Sequence, residues 1–207
     1  YGKVIGVINY ETCFKNNWIL EPAFHAAKAT EIIYDDGQFL FDQNVRKRHT
    51  ALLCELKYMV GEHEKHVRSN GGRKHKLLVS VNIVASCIDA IENWYNYSFG
   101  GKYLICVAFS NTDAYKKHPV LKDAGQTVFA INGVIYKSRE EWMRIIKICK
   151  HCIVCNYDIF KEGIDIKSLT AGVLCRNLVD NKISMVQLPG RIFRNDTGEN
   201  ETITPLD

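Results

Sequence analysis

The chain has 207 residues, of which 46% are hydrophobic and 24% are charged, and its formal net charge is +4. A chain of this length and composition can form one domain with additions around a proper core, which excludes global disorder. Its apolar runs fall short of the roughly 18 residues that a membrane-spanning helix needs, so we expect no membrane partner.

The basic residues are concentrated in one stretch, residues 45–76. It contains nine Lys or Arg residues and three acids, so the rest of the chain carries a net negative charge. A regional positive charge is expected of a surface that faces a polyanion. The alternative is an ordinary solvated helix followed by a loop, and the composition does not separate the two.

The eight cysteines favour a reducing, cytoplasmic compartment over a disulfide framework. Cys106, Cys155 and Cys175 lie inside apolar, strand-like runs, where free cysteine behaves as a small hydrophobe. The spacing Cys149-x-x-Cys152-x-x-Cys155 also occurs around iron–sulfur clusters. In a strand, however, Cys152 and Cys155 would point to opposite faces, so we expect no metal site.

Residues 1–75 are interpreted as an N-terminal linker or extension. Short strand-like runs occur at 4–8 and 18–22, and a strand is predicted around 31–34. From 45 to 67 the apolar residues recur with a helical period, which predicts a basic helix. Within it, Glu62-His63-Glu64-Lys65-His66 has its histidines spaced i, i+3 without a third ligand, so we expect a solvated helix end rather than a zinc site.

Residues 76–207 alternate strands and helices. Strands are predicted at 77–81, 103–109, 127–131, 152–155 and 171–175. Residues 110–126 look like an insertion, Asn132-Gly133 is interpreted as a turn into the next helix, and Ser138 with Glu141 reads as a capping box for it. The alternation predicts a parallel sheet with helices on both faces, whose ligands gather at the carboxyl ends of the strands.

Two short motifs carry the functional prediction. Glu162-Gly163-Ile164-Asp165 places a glycine beside carboxylates after a predicted strand, which suits a tight turn facing a polar ligand. In Gln187-Leu188-Pro189-Gly190-Arg191-Ile192-Phe193-Arg194, the two arginines lie on one face of a helical turn. Their forked, permanently charged guanidinium groups are suited to clamping a phosphate.

These motifs resemble motif V (E-G-x-D) and motif VI (Q-x-x-G-R-x-x-R) of superfamily 2 helicases and translocases. The resemblance implies the second, C-terminal RecA-like domain of an ATP-dependent DNA motor, with RNA as an open alternative. It implies that Arg191, Arg194 and Gln187 act at the γ-phosphate of ATP. It also implies that Gly163, Asp165 and Gly190 line the nucleotide site.

The strand at 77–81 and the helix after it resemble motif IV of the same family, which implies that Asn82 and Ser86 face the nucleic acid. For Ser86, a plain N-cap of the helix is the alternative that we favour. Arg73 and Lys74, from the basic stretch, are predicted to contact nucleic-acid phosphates as well.

The sequence lacks a G-x-x-x-x-G-K-[ST] motif and an Asp-Glu pair at a strand end. ATP and Mg²⁺ would therefore be held mainly by a first RecA-like domain, the expected partner, and this chain alone should not hydrolyse ATP. Because the sequence begins at Tyr1, we expect a fragment of a longer protein. The alternative function is a non-catalytic α/β module whose arginines bind another phosphate or structural carboxylates.

Overall fold

The computed structural model describes residues 10–16, 43–69, 74–81, 83–99, 101–111, 115–122, 124–157, 159, 166 and 169–175. The α-helices are α1 (Tyr10–Lys15), α2 (Gln43–Ser69), α3 (Val84–Asp89) and α4 (Arg139–Ile148). A π-helical segment, Ala90–Phe99, continues α3, and a 3₁₀ turn spans Pro119–Leu121. Among these residues, no helix is both long enough and apolar enough to cross a membrane.

Six strands form one mixed sheet in the order β4-β3-β2-β5-β1-β6. The strands are β1 (His75–Val81), β2 (Leu104–Ser110), β3 (Thr127–Ile131), β4 (Val134–Tyr136), β5 (His151–Tyr157) and β6 (Ala171–Cys175). β2, β5, β1 and β6 are parallel neighbours, whereas β3 and β4 run antiparallel at one end. The α/β class is thus confirmed, but the prediction of a parallel sheet is wrong for β3 and β4.

A tight hairpin between β3 and β4 explains the antiparallel end. Asn132 and Gly133 have φ angles of 49° and 84°, and Ile131 pairs with Val134 across them. Positive φ at both central residues is the type I′ geometry that Asn-Gly favours between strands. The turn interpreted as leading directly into a helix is therefore a β-hairpin, and α4 begins only after β4.

The start of α4 is close to the prediction. Ser138 is the N-cap, and its hydroxyl accepts a hydrogen bond from the Glu141 backbone N–H at 3.2 Å. Trp142 and Ile146 are fully buried, and Ile145 and Cys149 are half-buried against the same core. The capping interaction and the apolar face predicted for this helix are both confirmed.

The two faces of the sheet have separate hydrophobic cores. On one face, Leu56 and Val60 of α2 pack with Trp94 and alternate residues of the strands. On the other face, Trp142 and Ile146 of α4 pack against the remaining strand residues. Cys155 belongs to the first core and Cys152 to the second, which confirms that these two side chains point in opposite directions.

Helix α2 is the predicted basic helix, and its C-terminal half is part of the domain core. Leu56 is fully buried and Val60 nearly so, both in the cluster that includes β1. The C-terminal half of the helix therefore packs on the sheet. The runs at 4–8 and 18–22 and the strand around 31–34 lie outside the described residues.

Candidate functional site

Most of the predicted site residues lie outside the part of the chain that the structure describes. This holds for the two motif regions, for Asn82 and for one of the basic residues: Gly163, Asp165, Gln187, Gly190, Arg191, Arg194, Asn82 and Arg73. Their roles stay predictions. Ser86 and Lys74 are described.

Ser86 is buried in the domain interior. It is 2% exposed and is the third residue of α3, whose N-cap is Ile83, so the prediction of Ser86 as the N-cap is wrong. Its hydroxyl has no hydrogen-bond partner among the described residues. A contact between this hydroxyl and nucleic acid, which stays a prediction, would require the surrounding apolar side chains to open.

Lys74 directly precedes β1, at the amino edge of the sheet. Asn82 comes after β1 in the sequence and lies outside the described residues. The predicted nucleic-acid contacts of both residues stay predictions.

At the carboxyl edge of the sheet lie the ends of the strands that the predicted motifs follow in the sequence. β5, β1 and β6 are adjacent and parallel, so their last residues, Tyr157, Val81 and Cys175, leave the sheet on the same side. Near this edge Asn156 donates from Nδ2 to the carbonyl of Val79 at 3.2 Å, in the interior of the sheet. The segments with Asn82, Gly163 and Gln187 follow these strands in the sequence.

The amino edge carries a buried polar group that the sequence analysis did not find. We call it the amino-edge cluster; its members are His63, Glu64, His75 and Tyr103. His63 Nδ1 lies 2.5 Å from His75 Nε2, and His75 Nδ1 lies 2.6 Å from the Tyr103 hydroxyl. The Tyr103 hydroxyl donates to Glu64 Oε2 at 3.0 Å, which closes a chain from α2 to β1 to the start of β2 and back.

The prediction of a solvated helix end is wrong for His63 and Glu64. They are 9% and 8% exposed, because the last turns of α2 lie over the amino ends of β1 and β2. The remaining acceptor capacity of Glu64 is met by two cations at the surface. Lys102 Nζ lies 2.5 Å from Oε2, and Arg68 lies 2.6 Å from Oε1.

Burial controls the protonation of the cluster. It lowers the pKa of His63 to about 4, with a smaller repulsive contribution from His66. Burial also lowers the pKa of His75 to about 3, helped by the neighbouring His63. Burial alone would raise the pKa of Glu64, but the bonds from Lys102 and Tyr103 and the charge of Arg68 lower it overall, so the carboxylate is ionised.

Tyr103 stays a neutral phenol in this setting. Burial and the hydrogen bond to the Glu64 carboxylate both raise its pKa above the ordinary value. Among the described residues, no group of three or more His, Cys, Asp or Glu side chains could hold a metal ion. The cluster is therefore a hydrogen-bonded chain of two imidazoles, a phenol and a carboxylate, and it ties α2 to the sheet.

One signal in the sequence pointed to this cluster. His75, Tyr103 and His151 stand at or just before the first residues of β1, β2 and β5, which are neighbours in the sheet. Polar aromatic residues at the starts of three parallel strands meet at one edge of the sheet. The strand order was needed to see this.

The chain matches no protein-family model, no curated protein and no solved structure. The family resemblance therefore rests on its sequence motifs.

Proposed function

We propose that this chain is the second RecA-like domain of an ATP-dependent DNA helicase or translocase. The observation that carries the proposal is the adjacency of three parallel strands, β5, β1 and β6. In such sheets, ligands bind beyond the carboxyl ends of the strands. The sequence after β1 begins with Asn82, the sequence after β5 contains Gly163 and Asp165, and the sequence after β6 contains the motif from Gln187 to Arg194.

The antiparallel hairpin is compatible with this proposal. β3 and β4 extend the sheet beyond β2, on the side away from β1 and β6. In the described sheet, the hairpin does not interrupt the order of the parallel strands, β2-β5-β1-β6. In this proposal the hairpin is an addition to a parallel core, and the insertion at 110–126 stays a prediction.

In the proposed motor, this domain supplies charge and the other domain supplies the nucleotide. Arg191 and Arg194 would reach the γ-phosphate of an ATP whose phosphates and Mg²⁺ are held by a first RecA-like domain. A guanidinium group placed there stabilises the negative charge of the transferred phosphoryl group without taking a proton. Asn82 and the basic residues would contact the nucleic-acid backbone.

The test uses a longer protein that contains this chain and a first RecA-like domain. Arg191→Ala and Arg194→Ala should each lower DNA-stimulated ATP turnover by on the order of 10³ to 10⁵, with an unchanged melting temperature. Arg191→Lys should not restore turnover, because lysine keeps the charge but lacks the fork. Arg144→Ala, an exposed position of α4, is the matched control.

Two results would count against the motor. A folded variant with normal turnover removes that arginine from the catalytic site, and two such variants end the proposal. ATP turnover by residues 1–207 alone would also contradict it, since a phosphate-binding loop would then be unnecessary. A lower melting temperature with normal turnover would indicate the non-catalytic module, with the arginines bound to structural carboxylates.

A further inference from the structure

The hydrogen-bonded chain of the amino-edge cluster fixes where each proton lies. The ionised Glu64 can only accept, so the Tyr103 hydroxyl donates to it. The phenol oxygen then accepts from His75 Nδ1–H, which leaves Nε2 of His75 as an acceptor. His63 must therefore donate to it from Nδ1–H.

The chain is complete when both imidazoles are neutral. Three links need three hydrogens, and His63, His75 and Tyr103 supply one each. A proton added to His75 would sit on Nε2 and face the N–H of His63 across the shortest contact of the cluster. A proton added to His63 alone would face the backbone carbonyl of Thr170, which favours the charged form of that ring. Two added protons cannot be accommodated.

Most of the charged and titratable groups around the two rings oppose a second positive charge. These are His66 and Arg68 on α2 and Lys102 in the segment before β2, whereas Glu64 on α2 is an acid. His151, at the start of β5, also lowers the affinity of His75 for a proton. Glu64 is the one acid on these elements that stabilises a charge on His75, and it is already bound to Lys102 and Arg68.

We propose that the amino-edge cluster is a pH-sensitive latch: neutral His63 and His75 hold the C-terminal half of α2 on the sheet, and their joint protonation releases it. The latch uses the amino edge of the sheet, whereas the proposed nucleotide site lies at the carboxyl edge, so the latch is tested without reference to ATP turnover. Its moving part is the helix that carries much of the basic stretch.

The direction of the pH effect follows from proton linkage. The ordinary histidine pKa is 6.5, whereas the docked values are about 4 for His63 and about 3 for His75. Below pH 6.5 the released state binds protons that the docked state does not, so docking is complete above this pH and weakens as the pH falls toward 4. Each histidine favours release tenfold per pH unit, and both together about a hundredfold.

Hydrogen exchange of the full chain tests the latch. The protection of amides in residues 56–69, corrected for the intrinsic rate, should fall by about 1,000-fold between pH 7.5 and pH 5. Protection in β5, at the centre of the sheet, should hardly change over the same range. Simultaneous loss of protection in α2 and β5 would overturn the proposal, because acid would then unfold the whole domain.

Substitution of the two rings isolates their contribution. In the double variant His63→Asn and His75→Gln, the side chains keep polar atoms but do not titrate, so the protection of α2 should become nearly independent of pH. Lys57→Gln, at an exposed position of the same helix, should behave like the unsubstituted chain. An unchanged pH dependence in the double variant would overturn the latch.

A second measurement does not depend on any variant. Nitrogen-15 NMR of the unsubstituted chain at pH 7.5 should show the Nδ1–H tautomer at both His63 and His75, whereas free neutral histidine favours Nε2–H. An Nε2–H tautomer at either position would contradict the hydrogen-bonded chain on which the latch rests.

Discussion

Lys76, the second residue of β1, has a fully buried side chain. It is 1% exposed, and its Nζ donates to the carbonyls of Ile146 at 2.9 Å and Lys147 at 3.1 Å. These carbonyls lie in the last turn of α4, where the helix dipole favours a positive charge. The ninth basic residue of the 45–76 stretch therefore donates to the last carbonyls of α4 and is inaccessible to a phosphate.

Removing this ammonium group should destabilise the domain. Lys76→Met keeps most of the side-chain volume but removes a donor to the Lys147 carbonyl and one of two donors to the Ile146 carbonyl, which also accepts from Cys149 Sγ. We therefore expect a loss of about 1–3 kcal/mol in the free energy of unfolding. Urea denaturation measures it, with Lys57→Met on the exposed side of α2 as the control, expected within about 0.5 kcal/mol of the unsubstituted chain. An equally stable or more stable Lys76→Met variant would mean that the desolvation of the ammonium outweighs its hydrogen bonds.

At the scale of elements, the β3–β4 hairpin depends on its two turn residues. Asn132 makes two hydrogen bonds to Ile105. Its N–H donates to the Ile105 carbonyl at 2.9 Å, and its Oδ1 accepts from the Ile105 N–H at 2.8 Å. At Gly133, with a φ of 84°, an added Cβ would lie 3.4 Å from the carbonyl oxygen of Ile91. The turn of the hairpin is thus hydrogen-bonded to β2 and lies close to the backbone of the π-helical segment.

The same substitution should have opposite effects at two glycines. Gly133→Ala should lower the free energy of unfolding by about 1–2 kcal/mol, because alanine disfavours the left-handed backbone. Gly61→Ala, inside α2 with nothing within 4 Å of the new Cβ, should raise it by about 0.5–1 kcal/mol. Urea midpoints report both changes, and a Gly133→Ala variant as stable as the unsubstituted chain would contradict the turn geometry.

Local signals predicted elements better than pairings. The helical period of 45–67, the strand at 127–131 and the cap at Ser138 are visible within a few residues, and the structure confirms them. The direction of β3 depends on whether Asn132-Gly133 ends a strand or joins two strands. The interpretation of these residues as a turn into the next helix is wrong, because they join β3 to β4. The π-helical segment was also missed, although Asp89 accepts from Trp94 Nε1 five residues later at 2.9 Å, a spacing that suits the wider helix.

The site was harder to predict than the fold for a physical reason. His63 lies in a polar run that reads as solvated, and it becomes buried only because α2 crosses the ends of strands whose order the sequence does not state. The motif residues, in contrast, carry their chemistry in their spacing. Their mutual positions lie outside the described residues, and their roles stay predictions.

At the scale of the whole molecule, one candidate contact with nucleic acid is at the amino edge of the sheet. Lys74 directly precedes β1 there, and at the same edge Lys102 and Arg68 bind Glu64. The other candidate, Asn82, follows β1 in the sequence. Cations near the C-terminus of α2 also complement its dipole, which is the ordinary role of such residues. Binding measurements can distinguish a second contact from this local role.

If both edges contact DNA, their contributions to affinity should be independent. Lys74→Gln should reduce the slope of log Kd against log salt by about one unit, whereas Asn82→Ala should leave the slope unchanged. The double variant should show additive losses within about 0.5 kcal/mol, because the seven residues of β1 separate the two positions in the chain. Fluorescence anisotropy in the longer protein measures both, and an unchanged slope for Lys74→Gln would return this edge to the dipole role.

The central place of β1 also sets an order for folding during synthesis. His75 pairs with His151 and Leu77 with Ala171, so both partners of β1 leave the ribosome about 75 and 95 residues later. At about 5–20 residues per second, the apolar strand Leu77-Leu78-Val79 waits roughly 4–15 s for its first neighbour. The local β3–β4 hairpin can form during that time, while both edges of β1 still lack their native neighbours.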